Sequence, residues 1–264
     1  MTEDAARCGD GPRNRPRGEL EVVARIPSAS NAVFYATLGG TPVVYKPSAG
    51  EKWLWDFPDG DLAQREVAAY LVSEALGWDI VPPTWLAEGP FGEGMVQLWR
   101  DPLRELPAVD LVATDAPTAA GFRRVFGVIG YGDFPVAIVH EDSPALRRIA
   151  VFDVLVNNAD RKGGHILEMP DGHRHGIDHG LTFHVEDKLR TVLWGWAAEE
   201  LTDAELAGVE RVRGALLGPL GARLAELISP DELELLDLRA ELLLAEARFP
   251  MPRWGSHTVP WPLL

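Results

Sequence analysis

A chain of 264 residues suits one large domain or two small ones, and 46% hydrophobic with 25% charged residues excludes the disordered and fibrous classes. With 25 basic against 40 acidic residues the net charge is −15, so no nucleic-acid partner and no stable membrane association are expected. One cysteine, Cys8, excludes an internal disulfide and a thiolate metal centre and suits a reducing cytoplasm; no apolar run approaches the roughly 20 residues of a membrane span, and no secretory signal opens the chain.

Residues 1–17 are polar and rich in Gly, Pro and Arg, with no apolar period, and are expected to be a disordered tail. From Gly18 the pattern is β-like. Apolar-rich runs at 19–26 and 32–38 flank a small-residue turn, and Gly39-Gly40 turns the chain into a run at 41–46, which predicts an antiparallel meander. Residues 47–60 form a connecting loop. A helix is predicted over 61–76, with Asp61 as N-cap, Gln64 three residues on and Gly77 at its C-terminal end. Its apolar stripe is Val67, Ala68, Leu71, Val72, Ala75 and Leu76. Strands at 85–88 and 94–99 follow, around the turn at 89–92.

The remainder reads as mostly helical. Residues 107–140 are expected to be irregular apart from a strand at 135–140. Ser143-Pro144 opens a helix to about 156. Thr202 with Glu205, and Ser229 with Glu232, are capping boxes that open helices to about 217 and 247, with a short helical piece at 222–227 between them. The predicted domains are 18–100, β-rich with one long helix, and 101–264, mainly helical.

Chemistry concentrates between Asn157 and Trp196. β-like pieces at 165–169 and 175–177 flank the turn Pro170-Asp171-Gly172. Pairing them brings Asp160 and Asp178, 18 residues apart, to one end of a hairpin beside Arg161, Lys162 and His165. Two acids with adjacent cations suit a divalent ion and a phosphorylated ligand. In the β-rich part, Lys46 ends an apolar strand and needs an anionic partner, and Glu66 lies on the following helix. A strand lysine paired with a helix glutamate is how kinase-type enzymes place a cation on the phosphates of ATP. His173, His175, His179 and His184 lack the i, i+4 pattern of a zinc enzyme and are not read as a zinc site.

The segments ADRKGGHIL and GIDHG resemble the catalytic and metal-binding loops of the phosphatidylinositol 3-/4-kinase-like superfamily. With NNADRKGGH, DHG and KLRTVLWGW, the likeness is closest to an uncharacterised actinobacterial group of such kinase-related proteins and covers most of residues 18–200. The resemblance implies an α+β, two-lobed protein-kinase-like fold. It implies that Asp160 orients the acceptor hydroxyl and takes its proton, that Asp178 holds the metal, and that Lys46 meets ATP with Glu66 as its partner. Ser28, Ser30 and Asn31 fall in a phosphate-covering turn, and Gln97, Leu98 and Trp99 in the hinge that meets adenine.

Two departures stand out. His165 replaces an asparagine that holds the second metal, and Lys162 replaces a histidine, giving a fixed charge near the transferring phosphoryl group. Imidazole is a softer ligand than an amide oxygen and favours Mn²⁺ over Mg²⁺. Lys188, Arg190 and the Trp194-Gly195-Trp196 run occupy the activation-segment position, the indoles being read as core.

The expected function is ATP-dependent phosphoryl transfer, with Mg²⁺ or Mn²⁺, to a hydroxyl of a protein or small molecule. The alternatives are a nucleotide-binding pseudokinase that acts as a sensor through a protein partner, and adenylyl transfer.

Overall fold

A computed structural model describes residues 15–27, 31–52, 54, 57, 62–103, 107–129, 135–252 and 258–264. Residues 1–14 of the expected tail, Ser28 and Ser30 of the expected phosphate-covering turn, and Asp61 at the expected helix start lie outside these residues. The chain divides into two compact units, Met1–Lys52 with Pro83–Trp99, and Trp53–Pro82 with Arg100–Leu264.

The first unit is a five-stranded antiparallel sheet of β1 (Leu20–Arg25), β2 (Phe34–Leu38), β3 (Thr41–Pro47), β4 (Thr84–Gly89) and β5 (Gly92–Leu98), in the order β1-β2-β3-β5-β4. Gly39 and Gly40 both take positive φ (55° and 82°) between β2 and β3, which a tight two-residue hairpin turn requires. Leu20, Ala36, Val43, Tyr45, Trp85 and Val96 pack on one another as its core. Gly94 faces β3 so closely that a Cβ would lie 2.3 Å from the Lys46 carbonyl oxygen.

The second unit begins with α1 (Leu62–Leu76), the helix read within the β-rich part; its contacts place it here, packed on α3 (Asp203–Leu216) and α4 (Pro219–Leu224). Burial explains the membership. Beyond the predicted stripe, Arg65 and Glu66 are buried as well, so α1 is enclosed on more than one face. Gly208 of α3 sits so near Trp78 that a Cβ would come within 2.2 Å of its ring. Ser73 closes the end of α1, its Oγ accepting from the Ile80 and Val81 N–H groups at 3.0 Å each.

Residues 107–140, expected to be largely irregular, instead carry β6 (Val109–Ala113), β7 (Phe122–Ile129) and β8 (Pro135–Glu141), in the order β6-β8-β7. Only the last was foreseen, because β6 and β7 draw their stability from long-range pairing with β8 rather than from a local turn signal.

Helix α2 (Pro144–Leu155) starts as expected, Ser143 Oγ accepting from Leu146 N–H with Pro144 at the first helical position. Both capping boxes form, at Thr202 for α3 and Ser229 for α5 (Pro230–Glu246), each contributing on the order of 1 kcal/mol. Strands β9 (Ile166–Glu168) and β10 (Arg174–Gly176) form the short hairpin read from the sequence. Trp196 is buried at 1% exposure and Trp194 at 8%, so the two indoles are core. Among the described residues no helix is long and apolar enough to cross a membrane.

Candidate active site

The end of α2 determines the site. Asp153 interrupts an apolar helix face and is fully buried, and Arg161 eight residues later is fully buried against it. Arg161 Nε lies 3.0 Å from Asp153 Oδ2 and Nη2 2.9 Å from Oδ1. Asn158 Nδ2 (2.9 Å) and Thr191 Oγ1 (3.2 Å) donate to the same carboxylate. A buried carboxylate needs this many donors, because unpaired charge in a dry interior costs several kcal/mol. The remaining nitrogens of Arg161 tie two loops together. Nη1 donates to the His165 and Ile177 carbonyls (3.1 and 3.2 Å), and Nη2 donates to His179 Nε2 at 2.7 Å. Because guanidinium only donates, His179 carries its ring proton on Nδ1, which points toward Glu66 Oε2 at 4.0 Å.

The loops thus held are those that present Asp160 and Asp178. The Asp160 backbone N–H donates to Asn158 Oδ1 at 2.9 Å, and Lys162 Nζ donates to Asp160 Oδ2 at 2.8 Å. His165 Nδ1 lies 2.9 Å from the Asp160 carbonyl. A carbonyl only accepts, so Nδ1 carries the proton and Nε2 faces Asp178 Oδ2 at 3.3 Å. Burial raises the Asp160 carboxyl above its ordinary range; the Lys162 bond and charge pull it down, and the negative charge of Asp178 adds to the rise. Asp178 itself has a positive φ of 61°, a conformation that Asp and Asn tolerate better than other side chains, and its side chain is 49% exposed.

These donors suit a hard or borderline divalent ion. Metal–ligand bonds of about 2.1 Å set neighbouring ligands about 3 Å apart, close to the 3.3 Å between His165 Nε2 and Asp178 Oδ2.

The second unit therefore gathers Asp160, Lys162, His165 and Asp178. Glu66, expected to pair with Lys46, accepts the His179 N–H at 2.9 Å with Oε2 and so anchors the residue that follows Asp178. Lys46, Asn31, Gln97, Leu98 and Trp99 belong to the first unit. Lys46 is half-buried on β3 opposite Met95. Asn31 Oδ1 accepts from the Lys52 N–H at 3.2 Å, and Gln97 Nε2 donates to Thr84 Oγ1 at 2.8 Å. The N–H groups of Leu98 and Trp99 donate to the Pro83 and Pro42 carbonyls (3.0 and 3.1 Å), so a hinge contact from these residues would use other atoms. Asp153, Asn158 and His179 went unread as site-building residues. The one available signal was a lone acid inside the apolar run of α2.

The chain is 49% identical over 258 residues to Protein Rv2133c of Mycobacterium tuberculosis, covering 93% of this chain and 92% of that protein. It belongs to the family of Protein Rv2133c. No protein-family model matches this member of the Rv2133c family. The crystal structure of a Helicobacter pylori proinflammatory kinase, CtkA, aligns with a TM-score of 0.46 and 10% identity, over 88% of this chain and 93% of that one.

Proposed function

We propose that this chain is an ATP-dependent phosphotransferase of atypical kinase type, with the phosphatidylinositol 3-/4-kinase-like fold, which moves the γ-phosphoryl group to a hydroxyl of a protein or small molecule. One observation carries the reading: His165 Nε2 is turned toward Asp178 at 3.3 Å instead of away from it. An imidazole turned away from Asp178 would favour the pseudokinase sensor instead.

His165 and Asp178 would hold the Mg²⁺ or Mn²⁺, which when bound would neutralise phosphate charge. Asp160 accepts the proton of the acceptor O–H as the new P–O bond forms and ADP leaves. Its raised proton affinity suits a general base better than an ordinary surface carboxylate. Lys162, 2.8 Å from Asp160, keeps it ionised and puts a fixed positive charge beside the reacting group. Lys46 is assigned to the phosphates of the nucleotide.

The test uses the purified chain with γ-labelled ATP and Mn²⁺ or Mg²⁺, scoring label on the chain itself and on a panel of hydroxyl acceptors. Asp160→Asn is expected to lower transfer by about 10²–10⁴-fold without lowering the melting temperature, because a carboxyl whose folded pKa is raised destabilises the fold once ionised. Nucleotide binding without any transfer, or full transfer by Asp178→Asn, overturns the reading. Transfer of α- but not γ-label replaces it with adenylyl transfer.

A further inference from the structure

Three side chains outside the Asp160–Asp178 cluster converge on the turn that follows α1. Asp79 occupies that turn with a positive φ of 51° and is exposed, His173 is half-buried, and His175 is buried at 4% exposure. The two histidines flank Arg174, so the strand alternation of β10 sets them on one side. Arg174 is anchored to Glu141 Oε2 at 2.8 Å, which fixes the backbone between them.

Both rings hydrogen-bond one carbonyl oxygen. His173 Nε2 lies 2.7 Å and His175 Nδ1 3.0 Å from the same Asp79 carbonyl oxygen, with ring centroids 4.4 Å apart at 71°. One ring nitrogen from each histidine and one Asp79 carboxylate oxygen lie within 4.8 Å of one another. A tetrahedral zinc site with bonds of about 2.0–2.2 Å sets its ligands about 3.4 Å apart. Small side-chain rotations close that difference, and the exposed Asp79 carboxylate is the ligand with most room to move. The sequence quartet of His173, His175, His179 and His184 is split by the fold: His179 is bound to Arg161, and His184 packs edge-on to Phe57.

We propose that Asp79, His173 and His175 form a metal site for zinc or a similar borderline divalent ion such as cobalt. Two imidazoles and one carboxylate leave the fourth tetrahedral position to water. The ion joins the turn after α1 to β10, the strand that leads into Asp178. A backbone bond from Gly176 N–H to the Ile80 carbonyl at 2.9 Å already runs beside this link. The Asp79 carbonyl only accepts, so His173 Nε2 and His175 Nδ1 both carry protons there. Ligation through them gives up these two bonds as each proton moves to the other ring nitrogen, with no net change in charge. The proposal stands apart from the kinase reading, because it uses none of the same residues.

The experiment titrates Co²⁺, followed by its visible absorption, and Zn²⁺, followed by calorimetry, into the full chain, into Asp178→Asn and into His173→Ala. One equivalent is expected to survive in Asp178→Asn and to be lost in His173→Ala. A wild-type chain that takes up neither ion, or a His173→Ala chain that keeps that equivalent, overturns the site. Should His173→Ala fail to fold, the ring nitrogen resonances of His173 and His175 in the wild-type chain decide: a shift on adding Zn²⁺ supports ligation, and unchanged resonances refute it.

Discussion

Two polar clusters sit within a few residues of each other and are built from the same residue types, yet they differ in the role their chemistry allows. Around Arg161 the acid and the guanidinium are both fully buried, and all three guanidinium nitrogens have acceptors. Around Asp160 the side chains stay partly open, with 21% exposure at Asp160 and 49% at Asp178, and the carboxyl is shifted from its ordinary range. A saturated buried network fixes geometry. A partly open one keeps protons and ligand positions available for exchange. The same pair of residue types, Asp with a basic neighbour, therefore serves as scaffold at Asp153–Arg161 and as reactive group at Asp160–Lys162.

That contrast can be broken most directly at Arg161. Arg161→Met leaves the Asp153 charge buried without its main partner and releases both loops. Stability is expected to fall by about 3–5 kcal/mol in denaturant titration, whereas Asp178→Asn stays within about 1 kcal/mol of wild type. Equal losses in the two variants would erase the distinction.

A third buried polar group sharpens the scaffold side. His140 donates from Nδ1 to the Glu141 carbonyl at 2.9 Å and accepts the Gly195 N–H on Nε2 at 3.0 Å, which fixes it as a neutral imidazole. Burial lowers it to about 4 from an ordinary 6.5. A depressed value stabilises the fold above the unfolded pKa, so this contribution is complete above about pH 6.5 and is lost as pH falls toward 4. It amounts to roughly 3 kcal/mol. The stability gap between wild type and His140→Gln should narrow over that window, which chemical denaturation at stepped pH measures.

The smallest effect tests the reactive side. Lys162 holds the Asp160 carboxyl down by hydrogen bond and charge, so Lys162→Met should raise its pKa further. The acid limb of the transfer rate is then expected to move to higher pH. A limb that stays in place separates Asp160 from the rate.

Much of this cluster was legible before folding, because it is local. Asp160, Lys162 and His165 are close in sequence, and the turn at Pro170-Asp171-Gly172 announces the hairpin that brings Asp178 back. The capping boxes of α3 and α5 were legible for the same reason, each a signature confined to four residues. What escaped depends on contacts across the chain. Glu66 reaches a backbone N–H 113 positions away, and Arg65 reaches the Thr182 carbonyl 117 positions away. No periodicity encodes those partners. The sheet of β6, β7 and β8 escaped likewise, and so did Asp79, which meets His173 and His175 only after α1 joins the second unit.

The left-handed backbone at Asp178 carries an evolutionary consequence. That conformation is tolerated by Asp, Asn and Gly, and an aspartate codon becomes either of the other two by a single base change. The cheapest substitutions for the fold are thus the ones that remove the carboxylate. A lineage can shed this ligand in one mutational step while its scaffold persists, so silent descendants are structurally easy to produce.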